Sequence, residues 1–513
     1  LLRFGERLEP DGSLFRRNLG LARSADLYIC RGGARELWTP RFTYHGFRYV
    51  ELSGLPFEPT KQTLTGLALS AATRDVGAFA CSDETINQLV ELARWSLRSN
   101  SMDVPTDCPQ RGERLGWLGD AQLFAPSALW LADVGRLYTK WCRDLGDAQR
   151  PDGSFPAIAP AWDIVASGGP GWDEAGVLVP ALLYERLEHV DRIRWIEETL
   201  KSFRSFSSYL EKSAPARSVP YGDWNARDPG TPPELLALAY EVKARVAMAA
   251  GYPPRSSELI AEGLSELRAA FQRDWILPDG EPRATSQTAL ALALNTDLVP
   301  EHLRARFGAR LVADLAEKGL TTGFLGTAEL FPALSSLGRT DLAIELLRAP
   351  AVPGYGSLVA RGATTLWERM DGWTEEHGVA NGGMTSFNHT PFGSYVAWLF
   401  EHVAGIKPAS PGFATIAFEP EPTRALAWAE ARHLSPRGEL ALRWEWQGDA
   451  LFVTVLVPPN TDATLRLPGT SAERLRESER PLAEAVDVKL LALGPGGLLL
   501  GLVSGEYYFR LTP

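Results

Sequence analysis

The spacing of the apolar residues changes twice along this chain, and these two changes limit what it can fold into. In the first part, aromatic residues recur at near-alternate positions, as in the stretch 42–49, which is typical of β-structure. From Ser82 the period is helical, and the segment 86–97 carries apolar residues at the spacing of one helix face. After Gly405 alternation returns, and the stretch 440–457 predicts a β-hairpin around QGD. The chain is therefore predicted to place a large helical region between two β-regions.

The helical region is long enough for about a dozen helices. Besides the segment from Ser82, we predict helices at roughly 121–148, 173–189, 193–212, 233–250, 255–275, 301–317, 327–347 and 391–405. A four-helix bundle is too small for this number, and no strands alternate with the helices as in an α/β barrel. No repeat of fixed period indicates an open solenoid. The pattern favours a toroid of helical hairpins.

Composition excludes several kinds of partner. The net charge of −11 and the pI near 5.4 argue against nucleic acid or an anionic membrane surface. The four cysteines have no CxxC or paired spacing, so neither a metal site nor a disulfide framework is indicated. No run of 18 apolar residues occurs, and the start LLRFGERLEP lacks the features of a secretion signal. We expect a soluble protein, with the cytoplasm favoured over secretion, although the absence of an initiator Met is compatible with a processed N-terminus.

The motif DCPQRGERLGWLGD, residues 107–120, concentrates charge in a stretch that makes a poor helix. Its candidate functional residues are Asp107, Arg111, Glu113, Trp117 and Asp120. Its proline removes a backbone donor, and each glycine costs about 1 kcal/mol in a helix interior. We therefore predict a shaped loop between apolar segments, which is a common location for a site. A solvated turn is the simpler interpretation, but it gives no reason for Trp117.

A second charged segment, TTLWERMDGWTEEHGVANGGMTSFNHT, covers residues 364–390 and contains Glu368 and His389. If the helical region closes into a ring, its last loops meet its first, and Glu368 faces Glu113. Two carboxylates in a tryptophan-lined site suit glycoside hydrolysis, in which one protonates the leaving oxygen and the other activates water or attacks directly. No GxSxG, HExxH or phosphate-loop motif indicates another chemistry.

Together, these motifs resemble those of a known enzyme family. DCPQRGERLGWLGD, followed by TTLWER and MTSFNHTPFGSYVAWLFEHVAGI, is similar to the bacterial α-L-rhamnosidases of glycoside hydrolase family 78. The resemblance implies a mainly α fold, in which an (α/α)6 barrel at residues 79–408 is flanked by a whole or partial N-terminal β-sandwich at 1–78 and a C-terminal β-sandwich at 409–513. It also implies an inverting enzyme that needs no metal or other cofactor and releases terminal L-rhamnose from rhamnose-containing glycosides.

Site roles follow from the same resemblance. Glu113 falls on the family's general acid, and Glu368 falls on its general base. Asp107, Arg111, Trp117 and Asp120 match sugar-binding positions of the family's first motif, and His389 matches the histidine of the later one. Trp172 and Trp224 resemble the aromatic residues that wall the family's pocket. The family commonly has an acid where Gly112 stands, so this edge of the site carries one charge fewer.

Two other classes of function remain open from the residues. The first is a carbohydrate-binding protein on an inactive hydrolase scaffold, although binding alone needs no pair of aligned carboxylates. The second is another enzyme on a helical toroid, such as a glucoside or uronate hydrolase or a polysaccharide lyase. The oligomeric state and the glycoside linkage are not fixed by the sequence.

Overall fold

The computed structural model describes residues 1–512 except 34, 73, 163–167, 188–191, 214–216, 229, 252–253, 381–384 and 470. Within the helices that cover residues 192–213 and 233–275, it does not describe the side chains of 192–194, 196–198, 250–251 and 254–262.

The N-terminal region is a small β-structure. Its strands are β1 (Leu2–Gly5), β2 (Arg7–Leu8), β3 (Leu14–Phe15), β4 (Ala25–Asp26) and β5 (Tyr49–Leu52). Strands β4, β1 and β5 form an antiparallel sheet, and β2 pairs with β3.

The alternating aromatic residues at 42–49 are not a continuous strand, because β5 begins only at Tyr49. Their side chains serve other contacts. Phe42 has a φ of 57° and is fully exposed. The ring of Tyr44 lies 4.4 Å from the Arg114 guanidinium, and Phe47 packs on Phe4. Alternation here reflects contacts of single side chains rather than the two faces of a strand.

The central region is helical, as predicted. Its helices are α1 (Glu84–Ser99), α2 (Leu118–Leu131), α3 (Gly135–Ala148), α4 (Ala175–Arg186), α5 (Arg192–Ser213), α6 (Pro233–Gly251), α7 (Pro254–Trp275), α8 (Gln287–Asn295), α9 (Glu301–Lys318), α10 (Phe324–Ser336), α11 (Thr340–Arg348), α12 (Gly356–Ala360) and α13 (Tyr395–Trp398). The predictions for α4, α5, α6, α7 and α9 are confirmed to within three residues at each end.

Three predictions differ from the observed helices. The single helices predicted at 121–148 and 327–347 are each two, and the second break contains Gly338 with a φ of 68°. In place of a helix over 391–405 there is a 3-10 turn, then α13, then a π-helical turn at Leu399–Val403. Helix α8 was missed because QTALALALN is buried on every side, so it has no polar face that would reveal a helical period.

The even-numbered helices pack against one another in sequence. Contacts join α2 to α4, α4 to α6, α6 to α8, and α8 to α10. Helix α10 also contacts α13, which contacts α2, so the end of the helical region lies against its beginning. Helices α2, α8 and α10 are buried on nearly all sides, whereas α3 and α9 bury one face. This packing brings loops from distant parts of the chain together.

The C-terminal region consists of two sheets, together with one strand from before α1. Its strands are β6 (Gly77–Cys81), β9 (Ile406–Pro408), β10 (Thr415–Phe418), β11 (Trp428–Ser435), β12 (Gly438–Gln447), β13 (Ala450–Val457), β14 (Asp462–Leu467), β15 (Leu475–Glu477), β16 (Arg480–Pro481), β17 (Val488–Gly494), β18 (Gly497–Leu502) and β19 (Gly505–Leu511); a short hairpin, β7 (Trp373–Thr374) with β8 (Gly378–Val379), belongs to the second motif. The sheet orders are β17-β18-β14-β10-β9 and β16-β15-β19-β13-β12-β11-β6.

The predicted hairpin around QGD is confirmed as β12 and β13, in which Trp446 pairs with Leu451. Strand β13 alternates buried and partly exposed residues throughout. Strand β6 pairs antiparallel with β11, so it belongs to the C-terminal sheet although it precedes the first helix. The domain boundary predicted between residues 78 and 79 falls inside this strand.

In the described part of the chain, no helix is both long and apolar enough to span a membrane.

Candidate active site

The first charged motif forms the loop between α1 and α2, as predicted. It ends in the first turn of α2, so Asp120 lies where the helix dipole favours negative charge. A Cβ on Gly116 would lie 2.2 Å from the carbonyl oxygen of Ala159, so only glycine fits this close approach. The amide of Leu118 donates to Ala157, which fixes the loop against the segment that follows α3. The end of the motif is therefore fixed against residues 157–159.

The second motif contributes two segments, around Glu368 and around Ser386, that are hydrogen-bonded to each other. The amide of Glu368 donates to the carbonyl of Ser386 at 2.9 Å, and the amide of His389 donates to the carbonyl of Leu366 at 2.9 Å. The amide of Ser386 donates to Glu368 Oε2 at 3.0 Å. This pairing fixes the Glu368 carboxylate and the His389 ring relative to each other.

The Arg111 guanidinium joins the two motifs. Its Nη1 lies 3.2 Å from Glu368 Oε2, and its Nη2 lies 3.0 Å from Glu113 Oε2 and 3.6 Å from Asp107 Oδ2. Its Nε donates to Cys108 Sγ at 3.5 Å. The structure thus brings Glu113 and Glu368 to opposite Nη atoms of one buried cation. Their exposures differ, because the side chain of Glu113 is 33% exposed and that of Glu368 is 10% exposed.

His389 is buried among acids. Its Nε2 lies 3.0 Å from Asp120 Oδ1. Burial alone would lower the pKa of His389, but Glu368, Asp120 and Asp107 outweigh burial and raise it to about 9. Near neutral pH the ring is therefore an imidazolium, which adds a second cation to the site.

The two buried carboxylates differ in acidity. Burial would raise the pKa of Glu368, but His389, Arg111, the Ser386 amide and Trp224 together hold it below its usual value. Burial and the nearby Glu113 raise the pKa of Asp107 to about 7. Glu368 is therefore an ionised carboxylate, whereas Asp107 exchanges its proton near neutral pH.

Tryptophans donate to both candidate catalytic carboxylates. Trp117 Nε1 donates to Glu113 Oε1 at 2.8 Å, and Trp224 Nε1 donates to Glu368 Oε1 at 3.4 Å. Trp172 is only 2% exposed and packs against Gly119 of α2, where an added Cβ would clash with its ring. Of the three predicted aromatic positions, Trp117 and Trp224 contact the carboxylates directly, whereas Trp172 packs against Tyr221.

Sequence reasoning missed three residues of YGDWN that shape the site. The Tyr221 ring lies 5.4 Å from that of Trp117, 4.8 Å from that of Trp172 and 6.4 Å from that of Trp224. Partly buried Asp223 accepts from the amides of Gly323, Leu325 and Gly326 at the start of α10, and from the Thr288 hydroxyl. Asn225 Nδ2 donates to the Glu368 carbonyl at 2.9 Å. The sequence did carry a signal for these residues, because Trp224 lies in a loop with an aspartate before it and an asparagine after it.

One group of residues in the described part of the chain has metal-ligand geometry. The ligand atoms of Asp107, Cys108 and Glu113 all lie within 4.8 Å of one another. The Arg111 guanidinium contacts all three residues, and its positive charge would repel a metal ion. Burial also raises the pKa of the Cys108 thiol well above its usual value, so the thiolate needed for coordination is disfavoured. These residues are therefore better suited to hydrogen bonding than to metal binding.

Two of the buried polar atoms in the site have no hydrogen-bond partner among the described residues: Asp107 Oδ2 and His389 Nδ1. Buried polar atoms are normally satisfied by protein, water or ligand. A site with two carboxylates on one guanidinium, tryptophans that donate to them and unsatisfied polar atoms has features suited to binding and cleaving a sugar.

Helical hairpins with this paired-carboxylate site define the chain as a six-hairpin glycosidase-type protein. The model of the bacterial alpha-L-rhamnosidase six-hairpin glycosidase domain matches residues 74–403. The concanavalin-like domain of the same enzymes matches residues 1–70, and their C-terminal domain matches residues 405–481. The chain belongs to the bacterial α-L-rhamnosidase family, as the motif resemblance indicated.

Individual relatives agree with this assignment. An alpha-L-rhamnosidase of Streptomyces avermitilis is 36% identical over 496 residues, which cover 95% of this chain and 48% of that protein. The crystal structure of the Streptomyces avermitilis alpha-L-rhamnosidase complexed with L-rhamnose has a TM-score of 0.93 at 34% identity, covering 100% of this chain and 49% of that one. The alpha-L-rhamnosidase structure from Dictyoglumus thermophilum has a TM-score of 0.91 at 31% identity, covering 100% and 59%. The chain spans about half the length of the curated relatives it matches.

The contribution of His389 to the acidity of Glu368 leads to a prediction. The His389→Gln substitution removes a positive charge beside Glu368, so the pKa of Glu368 should rise. Carbon-13 NMR of the glutamate carboxyl groups measures this pKa, with the Glu368→Gln variant used to assign the signal. The matched control is His377→Gln, which changes an exposed histidine that pairs only with exposed Glu376. An unchanged Glu368 titration in His389→Gln would contradict the charge coupling.

Proposed function

We propose that this chain hydrolyses terminal, non-reducing α-L-rhamnosides by an inverting mechanism. Glu113 is the general acid, and Glu368 is the general base that activates water. The observation that carries the proposal is the placement of these two carboxylates on opposite Nη atoms of Arg111. Family membership supports the choice of sugar, and the similar Streptomyces avermitilis structure contains L-rhamnose.

The order of helix contacts supports a finer description of the fold. The succession α2, α4, α6, α8, α10 and α13 would form the inner ring of an (α/α)6 barrel, and the helices between them its outer ring. Loops at one end of such a ring converge. This arrangement accounts for the contact of the loop before α2 with segments more than 250 residues later.

The state of Glu368 suits a general base. Its pKa lies below the usual value, so it is ionised throughout the neutral range and can accept a proton from water. Its carboxylate is nearly buried and is oriented by the Ser386 amide and by Trp224. A fixed, ionised carboxylate in a site with little bulk water activates a water molecule without first losing a proton.

The general acid must carry a proton when the glycoside is bound. The carboxyl groups of Asp107 and Glu113 lie within 4.8 Å of each other, and the pKa of Asp107 is raised to about 7, so Asp107 holds an exchangeable proton beside Glu113. Glu113 is also the more exposed of the two candidate catalytic carboxylates, which suits contact with a leaving group that projects toward solvent. Protonation of the glycosidic oxygen by Glu113 would leave the pair doubly ionised, with Arg111 stabilising the added charge.

Sugar binding would use the remaining predicted residues. Asp107 Oδ2 and His389 Nδ1 are unsatisfied acceptor or donor atoms that sugar hydroxyl groups would satisfy. Asp120 holds the His389 ring in place, and the indoles of Trp117 and Trp224 contact the two carboxylates. Stacking on indole faces suits the apolar side of a deoxy sugar.

A panel of aryl glycosides tests the proposed substrate. We expect release of the aryl group from the α-L-rhamnoside and none from the matching glucoside or glucuronide. Cleavage of the glucoside or glucuronide would assign the chain to a different sugar specificity. Binding of rhamnose in calorimetry without any cleavage would identify a carbohydrate-binding protein instead.

The role of the general acid is tested by leaving-group dependence. The Glu113→Gln substitution should reduce kcat by about 100-fold or more on a rhamnoside with an alcohol leaving group, because that group needs a proton. The loss should be much smaller on an aryl rhamnoside with an acidic phenol, which leaves unprotonated. Glu375→Gln, which alters an exposed acid of the second motif, is the matched control. Equal losses on both substrates would remove the proton-donor role.

The stereochemistry of the product tests the role of Glu368. An inverting mechanism requires room for water between the sugar and Glu368, with carboxyl groups roughly 6.5–9.5 Å apart rather than about 5–5.5 Å. Proton NMR in the first minutes of turnover should then detect β-rhamnose before mutarotation produces the α-anomer. If α-rhamnose is formed first, the mechanism is retaining, and Glu368 is not a general base.

A further inference from the structure

Two consecutive residues of the N-terminal region, Glu6 and Arg7, reach the candidate active site. Glu6 follows β1, and Arg7 begins β2. Glu6 is 7% exposed, although acids are rarely buried without a specific partner. Neither residue belongs to the two charged motifs.

Glu6 holds the backbone on both sides of Ser386. The amide of Phe387 donates to Glu6 Oε2 at 3.4 Å. Asn18 Nδ2 donates to Glu6 Oε2 at 2.8 Å and to the carbonyl of Thr385 at 3.2 Å. Fully buried Asn18 therefore links the carboxylate to the residue before Ser386, while Glu6 itself binds the residue after it.

Ser386 is the residue that orients the proposed base. Its amide donates to Glu368 Oε2 at 3.0 Å, and its carbonyl accepts from the Glu368 amide at 2.9 Å. Its hydroxyl accepts from Gln110 Nε2 at 2.7 Å, which connects it to the first motif. A shift of the backbone at 385–387 would move the Ser386 amide away from Glu368.

The Arg7 guanidinium packs against aromatic side chains close to Glu368 and Ser386 in the sequence. Its guanidinium lies 4.1 Å from the ring centroid of Trp373 and 5.5 Å from those of Trp367 and Phe387. Trp367 directly precedes Glu368, and Phe387 directly follows Ser386. Cation–π contacts within about 6 Å are attractive and become stronger when solvent is excluded.

The Glu6 carboxyl group is buried, but the groups around it favour its ionised form. Burial raises the pKa of Glu6 to about 7, and the Phe387 amide, Asn18, Arg111 and Gln110 oppose that rise. A carboxylate is a costly residue for merely filling space, because an apolar pair of similar volume packs there without desolvating a charge. The role of the Glu6 carboxylate is therefore to accept hydrogen bonds.

We propose that Glu6 is a positioning residue for Glu368, which acts by holding the 385–387 backbone so that the Ser386 amide donates to the base. The N-terminal region is on this view part of the catalytic unit. The inference rests on the proposed role of Glu368, but the position of the Ser386 amide can be measured independently of any activity.

The test compares Glu6→Ala, Glu6→Gln and a control on the same sheet. The control is Glu51→Ala on β5, since Glu51 forms an ion pair with the half-exposed Arg3 at the surface. Hydrogen exchange of a peptide that covers 385–389 reports the backbone, and the pH profile of kcat/KM on an aryl α-L-rhamnoside reports the base.

Glu6→Ala should accelerate amide exchange at 386–387 by at least about tenfold and move the acidic limb of the profile to higher pH by about one unit, because Glu368 loses a donor to its ionised form. Glu6→Gln keeps an acceptor oxygen and should match the wild type in both measurements, as should Glu51→Ala. If Glu6→Ala behaves as the wild type in both measurements, the proposal is overturned.

If Glu6→Ala does not fold, Glu6→Gln still tests the proposal. A Glu6→Gln profile that shifts while exchange stays at the wild-type rate would mean that Glu6 acts through its charge, which also overturns the proposal. Should the wild type release no rhamnose, the proposed function fails, whereas the exchange experiment still decides whether Glu6 holds the Ser386 amide.

Discussion

The Arg111 guanidinium is the interaction on which the candidate site depends. It lies among the carboxylates of Asp107, Glu113 and Glu368, which come from two loops separated by 257 residues between Arg111 and Glu368. Like charges repel strongly where solvent is excluded, so these acids need a cation that stays charged. The planar guanidinium offers donors in different directions, which a lysine ammonium on a flexible stem does not. One side chain thus permits three acids to share a small volume.

The sequence predicted those parts of the molecule in which a local pattern carries the information. The helical period marked the central region, strict alternation marked the β12–β13 hairpin, and the density of charge marked the two motifs that meet at Arg111. Helix α8 has no polar face, and the aromatic stretch 42–49 alternates without forming a strand, so these local patterns were misleading.

Contacts between distant segments explain what sequence reasoning could not find. Asp223 is significant only because three amides at the start of α10 point at it, and these amides lie about 100 residues later. The same is true of Asn18, which matters because it donates to Glu6 and to the carbonyl of Thr385. Neither residue lies in a stretch of unusual composition. Such residues can be recognised only from the folded geometry.

The pairing of β6 with β11 and of Glu6 with Phe387 has a consequence for synthesis of the chain. The donor to Glu6 lies 381 residues further along, and at about 5–20 residues per second a ribosome needs roughly 20–80 s to reach it. Strand β6 waits as well, because its partner β11 begins only at Trp428. An unpaired strand edge of the nascent polypeptide therefore stays available for wrong pairing until β11 has been made.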